Sequence, residues 1–190
     1  MKENQAAAIA HVLDVEGGFS NHSEDAGGPT KYGVTLPALS RHIERPATIE
    51  ELREMKASVA EAIYATQYWW PARCDELPAG VDLMHFDAAV HAGQGQATKW
   101  LQRAINLGGY GALGKRLLED GALGSKTLKG ANEVHEPALI RRMAFYRIIE
   151  AFDDPEDVHF ARGWVDRVLK AVLRAAALIK RPLNEEEKQA

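Results

Sequence analysis

Cysteine is almost missing from this sequence: Cys74 is the only one in 190 residues. That excludes an internal disulfide, and a lone thiol cannot by itself build a zinc site. Aromatic side chains are sparse at 7%, so any stacking surface must come from a few rings. There is no basic excess either. With 23 Lys and Arg against 27 Asp and Glu, the net charge is −4, which argues against a general nucleic-acid binder and against simple electrostatic docking on an anionic membrane. The most apolar late segment, Val165 to Ile179, is interrupted by Arg167, Lys170 and Arg174 and is too short and too charged to span a bilayer. The first twenty residues place Glu3, His11 and Asp14 where a signal peptide needs an apolar run, so synthesis in the cytoplasm without a signal peptide is expected. No long linker and no 20–50-residue repeat is visible.

What is present reads as helix. Hydrophobic residues make up 46% and charged residues 26%, ordinary for a soluble globular protein. Residues 3–15 carry Ile9, Val12 and Leu13 at helical spacing, closed by Gly17-Gly18 as a stop signal. Thr48 with Glu51 and Ser58 with Glu61 both fit the capping-box pattern. The second of these runs ends at Tyr68-Trp69-Trp70-Pro71, where the proline stops it. Residues 81–91 are apolar around much of their circumference, as a central helix would be. Gly93 and Gly108 bracket a helix over Gln96–Leu107, Pro137 opens one running to about Ala151, and Pro155 starts another over about 157–180. Only residues 19–34 differ. Turn formers crowd that stretch, which predicts an irregular loop or small β-hairpin. The expected architecture is all-α with one small irregular or β excursion.

The chemistry-bearing stretch begins at Glu16-Gly17-Gly18 and continues through Asp25, Gly27-Gly28, Thr30 and Gly33-Val34-Thr35. Two glycines after a carboxylate let the backbone turn sharply and clear space beside it. Asp25 and Thr30 lie on the loop that folds back. Two carboxylates facing one cleft are the equipment of glycoside hydrolysis, one donating a proton while the other steadies or attacks the sugar cation. The plainer reading makes Glu16 the end of a helix capped by glycine and Asp25 a turn residue bonded to its own backbone. Residue types alone leave both open.

Other constellations are weaker. A helix advances about 100° per residue, so His85 and His91 do not share a face, and no metal site or cofactor is expected. There is no nucleophile-elbow context for a Ser–His pair. Tyr64, Tyr68, Trp69 and Trp70 form a sugar-stacking wall or, alternatively, core, with Trp70 best placed for exposure. Arg141, Arg142 and Arg147, and Arg162, Arg167 and Lys170, read as solvated helix faces.

The stretch EGGFSNHSEDAGGPTKYGVT closely resembles the amino-terminal motif of the glycoside hydrolase family 108 muramidases, lysozyme-like enzymes of phages and bacteria. Further segments follow in order: Ile63-Tyr64 with Tyr68-Trp69, Phe86-Asp87-Ala88-Ala89-Val90 with Gly93, and Leu101-Gln102-Arg103-Ala104. Asp120 to Thr127 is similar to an element of the peptidoglycan-binding half these proteins carry, and Gly163-Trp164 with Arg167-Val168 to its closing helix. The resemblance implies a lysozyme-like helical bundle, with a muramidase catalytic region over 1–94 and a peptidoglycan-binding region over 95–190 packed as one body. It implies cleavage of the β-1,4 bond between N-acetylmuramic acid and N-acetylglucosamine. Glu16 matches the catalytic acid, while Asp25 and Thr30 complete a set similar to that of phage lysozymes. The threonine spacing differs by one from the wider pattern.

Tyr32, Trp69, Trp70, Asp87 and His91 are the candidates for substrate contact, with His91 a departure from the asparagine more usual there. Aromatics such as Phe19, Tyr32 or Phe86 are expected to pack beside Glu16. The partners implied are glycan strands of peptidoglycan and neither nucleic acid nor a membrane, with the protein acting as a monomer on the wall in the periplasm. For a phage or prophage endolysin, access requires a holin-type pore. A lytic transglycosylase leaving anhydromuramic ends, and a non-catalytic wall-binding protein, are the alternatives.

Overall fold

The computed structural model describes residues 4–20, 28–108, 114–152 and 158–179, without the side chains of 158–160. Helix α1 (Gln5–Glu16) stops where Gly17 turns to φ +75° and its N–H bonds the Leu13 carbonyl at 3.3 Å. Three two-residue strands follow, β1 (Phe19–Ser20), β2 (Thr30–Lys31) and β3 (Val34–Thr35), antiparallel in that order. Thr30 faces Thr35 and Lys31 faces Val34, so Tyr32 and Gly33 alone make the turn. Both take positive φ, 52° and 72°, as the tight hairpin turn matched to strand twist requires.

Helix α2 (Leu36–His42) leaves β3 directly, its first turn capped by Thr35. Helix α3 (Ile49–Glu54) shows the full capping box of Thr48 and Glu51. The second expected box is absent. Helix α4 (Ala57–Tyr64) starts one residue before Ser58, off extended Lys56, with no side-chain cap. Its end widens into a π-helical turn over Ala65–Trp69. That turn sends Trp69 fully inward while Trp70 stays 56% exposed.

Helix α5 (Val81–Ala92) is the axis of the molecule. Every residue from Val81 to Ala89 is buried, and the helix packs against α1 and against α6 (Gln94–Leu107), α8 (Glu136–Glu150) and α9 (Val158–Leu178). Leu83, Met84 and Phe86 bury apolar surface worth roughly 1.5–3 kcal/mol each, and Asp82, His85 and Asp87 are buried on the same helix. Gly80, at φ +80°, lets α9 close on the start of α5: a Cβ there would lie 2.5 Å from the Ala175 carbonyl oxygen. Helix α7 (Ser125–Glu133) packs on α6. One apolar cluster runs from Val12 and Ile63 through Phe86 and Leu101 to Met143 and Ala171. The fold is thus all-α with a small β excursion. Among the described residues no helix is long and apolar enough to cross a membrane.

Candidate active site

Glu16 is the last residue of α1, so the helix delivers its side chain to the edge of the hairpin. The carboxyl group sits over the Tyr32–Gly33 turn. A Cβ on Gly33 would meet the Glu16 Cγ and Cδ at 2.7 Å and the Tyr64 Oη at 2.6 Å. Only glycine fits both the positive φ and that closeness. Tyr64, buried at the end of α4, donates from Oη to the Tyr32 carbonyl at 2.7 Å and so pins the turn to the helical body. Burial, and then the charge of Glu16, push its phenol far above the ordinary range, so it stays a neutral donor. The side chain of Glu16 retains 24% exposure, open enough for a substrate to reach.

The partner of Glu16 comes from the far end of the chain. Arg167 on α9 donates from Nη1 to Glu16 Oε1 at 2.5 Å across 151 residues of sequence. Its Nε donates to Asp87 Oδ1 at 3.0 Å, and Arg147 Nη2 on α8 donates to Asp87 Oδ2 at 2.7 Å. His11 on α1 approaches the same carboxylate at 3.6 Å. Burial alone would raise Asp87, but the charge of Arg147, the His11 contact and Arg167 together hold it well below the usual carboxylate range. Burial pulls Arg147 down. For Arg167 it is outweighed by Asp87 and Glu16, which push that group up. Breaking a buried ion pair by removing one partner costs about 3–5 kcal/mol, so this hub fixes Arg167 firmly in front of Glu16.

The other expected site residues divide. Asp25 lies outside the described residues. Thr30 opens the central strand and Tyr32 occupies the turn, where its carbonyl holds Tyr64 and Lys31 Nζ lies 5.5 Å from its ring centre. Trp69 and Asp87 are fully buried and offer no surface to a polymer: the Trp69 indole donates to Asp75 at 3.1 Å, and Asp87 is the hub just described. Trp70 faces solvent. His91 is half-buried, edge-on to Trp164 at 5.5 Å, and burial with the charges of Arg167 and Arg147 lowers its pKa to about 4. Phe86 packs on Tyr64 and Trp69, and Phe19 lies 4.9 Å beneath the Arg53 guanidinium. Among the described residues the hydrogen-bond partner of Glu16 is Arg167.

Two residues read from sequence as solvated, Arg147 and Arg167, are 4% and 9% exposed. A signal for both was present. Arg167 falls at helical spacing between Trp164 and Ala171, and Arg147 between Met143 and Ala151, so each interrupts an apolar stripe.

The Asp120–Thr127 element is held from within. Gln102 Nε2 donates to Asp120 Oδ1 at 2.8 Å and the Ala122 carbonyl at 3.1 Å, and its Oε1 accepts from the Gly121 N–H at 3.0 Å. Asp120 Oδ1 also accepts from the Ala122 N–H at 2.9 Å.

The model of the family described as glycosyl hydrolase 108 matches residues 9–93, and that described as predicted peptidoglycan domain matches residues 96–169. The solved structure of SagA from Brucella abortus superposes with a TM-score of 0.80 at 31% identity, covering 94% of this chain and 97% of SagA. No curated protein matches the chain. Both family matches in order along one chain, and a relative aligned nearly end to end, place the protein in the glycoside hydrolase 108 family, its hydrolase region followed by a peptidoglycan domain.

Proposed function

We propose that the protein is a muramidase that hydrolyses the β-1,4 bond between N-acetylmuramic acid and N-acetylglucosamine, with Glu16 as proton donor. The observation that carries this reading is the placement of Glu16 at a helix end, over a glycine turn, partly open and facing one fixed guanidinium. In the donor step the Glu16 proton passes to the glycosidic oxygen as the bond to the anomeric carbon breaks. The carboxylate left behind finds Arg167 already in place, so its charge is met without reorganisation, the kind of preset electrostatics that lowers a barrier. Asp87 keeps Arg167 there while Glu16 is protonated. Asp25 is assigned as the second carboxylate, which steadies or attacks the sugar cation, and Thr30 as a hydroxyl that orients it or a water.

Regions 1–94 and 95–190 are assigned to catalysis and to wall binding. The setting proposed is lysis of a host by a monomeric phage or prophage endolysin, made in the cytoplasm and reaching the periplasmic wall through a holin-type pore. Mass spectrometry of digested peptidoglycan tests the chemistry. Reducing muramic ends are expected, whereas anhydromuramic ends indicate a transglycosylase, reducing glucosamine ends a different bond, and intact strands a binding protein.

A further inference from the structure

A cavity of about 270 Å³ lies where α5, α6, α8 and α9 meet, and the chemistry assigned to Glu16 does not use it. Ala92, Trp100, Trp164 and Val168 give it apolar walls, with Glu150 and Arg147 as its charged groups. The two charges are in opposite states. Glu150 is saturated: Oε2 accepts from Gln96 Nε2 and Trp100 Nε1, both at 2.7 Å, and Arg103 binds Oε1. Arg147 is not. Its side chain is 1% exposed and Nη2 reaches Asp87, yet Nε and Nη1 have no hydrogen-bond partner among the described residues. A buried N–H left unmet costs about 1–3 kcal/mol, more on a charged group. The cavity beside Arg147 therefore calls for an acceptor.

We propose that this cavity is a subsite for the peptide stem of peptidoglycan, with a stem carboxylate directed to Arg147 and the adjoining aliphatic part against Trp164 and Val168. The proposal rests on the muramidase reading. Three observations favour a carboxylate over a sugar ring. Trp100 is only 5% exposed and offers no open face for stacking. Two of the three unmet polar atoms on its lining, Nε and Nη1 of Arg147, are donors on a cation, and the third is Nδ1 of His91; bonds between charged groups are about twice as strong as those between neutral ones. The charge count also changes during catalysis. Arg147 and Arg167 face Asp87 and Glu16, two against two; once Glu16 carries the proton it must donate, the count is two against one, and a ligand carboxylate restores balance. Position agrees as well. Arg147 and Arg167 hold opposite oxygens of Asp87, so the arginine of the cavity is one ion-pair relay from Glu16.

The test uses the full chain and two soluble probes: the tetrapeptide L-alanyl-D-glutamyl-meso-diaminopimelyl-D-alanine, and an N-acetylglucosamine tetramer. NMR of the indole N–H groups should show the peptide shifting Trp100 and Trp164. Ala92→Trp, at an exposed wall position, should obstruct the cavity and weaken peptide binding at least about tenfold, the worth of one charge-assisted hydrogen bond. In kinetics the same variant should raise KM on peptide-bearing strands at least about tenfold more than on strands stripped of their stems. Should Ala92→Trp melt early, the smaller block Ala92→Phe takes its place in the same comparison. The proposal fails if the peptide leaves both indoles unmoved, if the sugar tetramer moves them instead, or if a folded variant keeps parental peptide affinity. Peptide binding at these indoles in a protein that cleaves no strand would uphold the subsite and overturn the muramidase reading.

Discussion

Glu16 and Asp120 look alike on paper, each an acid followed by glycine in a turn-rich stretch. The fold treats them in opposite ways. Asp120 Oδ1 accepts from Gln102 and from the Ala122 backbone, and Gln102 returns a bond from Gly121, so its turn is stitched onto α6. Among the described residues Glu16 has a single arginine on one oxygen, keeps a quarter of its surface open, and is pressed against a turn that tolerates no side chain. A carboxylate that closes a loop is consumed by its neighbours, and the one proposed for chemistry is positioned from behind and left reachable in front. What separates the two is the set of bonds each already makes.

The sharpest way to break that contrast is Glu16→Gln, which keeps the size but removes the transferable proton. Glycan cleavage should fall by about 10²–10⁴-fold with a parental melting temperature, and a folded variant cleaving at the parental rate would sink the catalytic assignment. Arg167→Ala comes next. It leaves Asp87 buried with Arg147 and the more distant His11, so unfolding in denaturant should show a loss of about 3–5 kcal/mol, together with slower cleavage by the protein that remains folded.

The support beneath the corner should also be acid-sensitive. Burial lowers His85 to about 4, and burial with the two arginines does the same to His91. Both are neutral when folded and take a proton near pH 6.5 when unfolded. Their contribution is therefore complete above about pH 6.5 and disappears as pH falls toward 4, by roughly 3 kcal/mol for His85. Thermal melts across that window should show the slope, and His85→Met should flatten it.

Gly33→Ala tests closeness alone. The left-handed φ and the contact with Glu16 should cost about 1–3 kcal/mol, and kcat should drop because the carboxyl must shift. Gln102→Ala is the counterpart at the other turn: a stability loss of about 1–3 kcal/mol in the same assay, with kcat on short glycan oligomers near that of the parent. A collapse of kcat there would erase the contrast.

Much of the frame was legible beforehand because local signals and the tertiary result agree. Gly17 stops α1, the Thr48–Glu51 box forms, and the apolar run of 81–91 is the central helix. Glu16 is singled out by the family resemblance, since an acid followed by two glycines reads equally as a plain helix cap. Its partner could not be read in the same way. Arg167 belongs to the site through packing of α9 on α5, which is not written near either residue, and long basic side chains on helices are most often solvated. The Ser58 box failed because extended Lys56 begins the helix one residue earlier. Trp70, next to Pro71, was legible as the exposed member of its pair, whereas the inward turn of Trp69 depends on the π turn, which no local signal announces.

The ion pair between residues 16 and 167 also sets a timetable. A contact closing so long a loop carries a large entropic cost and forms late, after the elements between have settled. During synthesis the amino-terminal corner emerges first yet lacks its guanidinium until α9 has left the ribosome and docked. The gap between the two family matches, at residues 94–95, is therefore a poor place to divide the protein. A fragment ending there would carry Glu16, the hairpin and Asp87 with neither arginine.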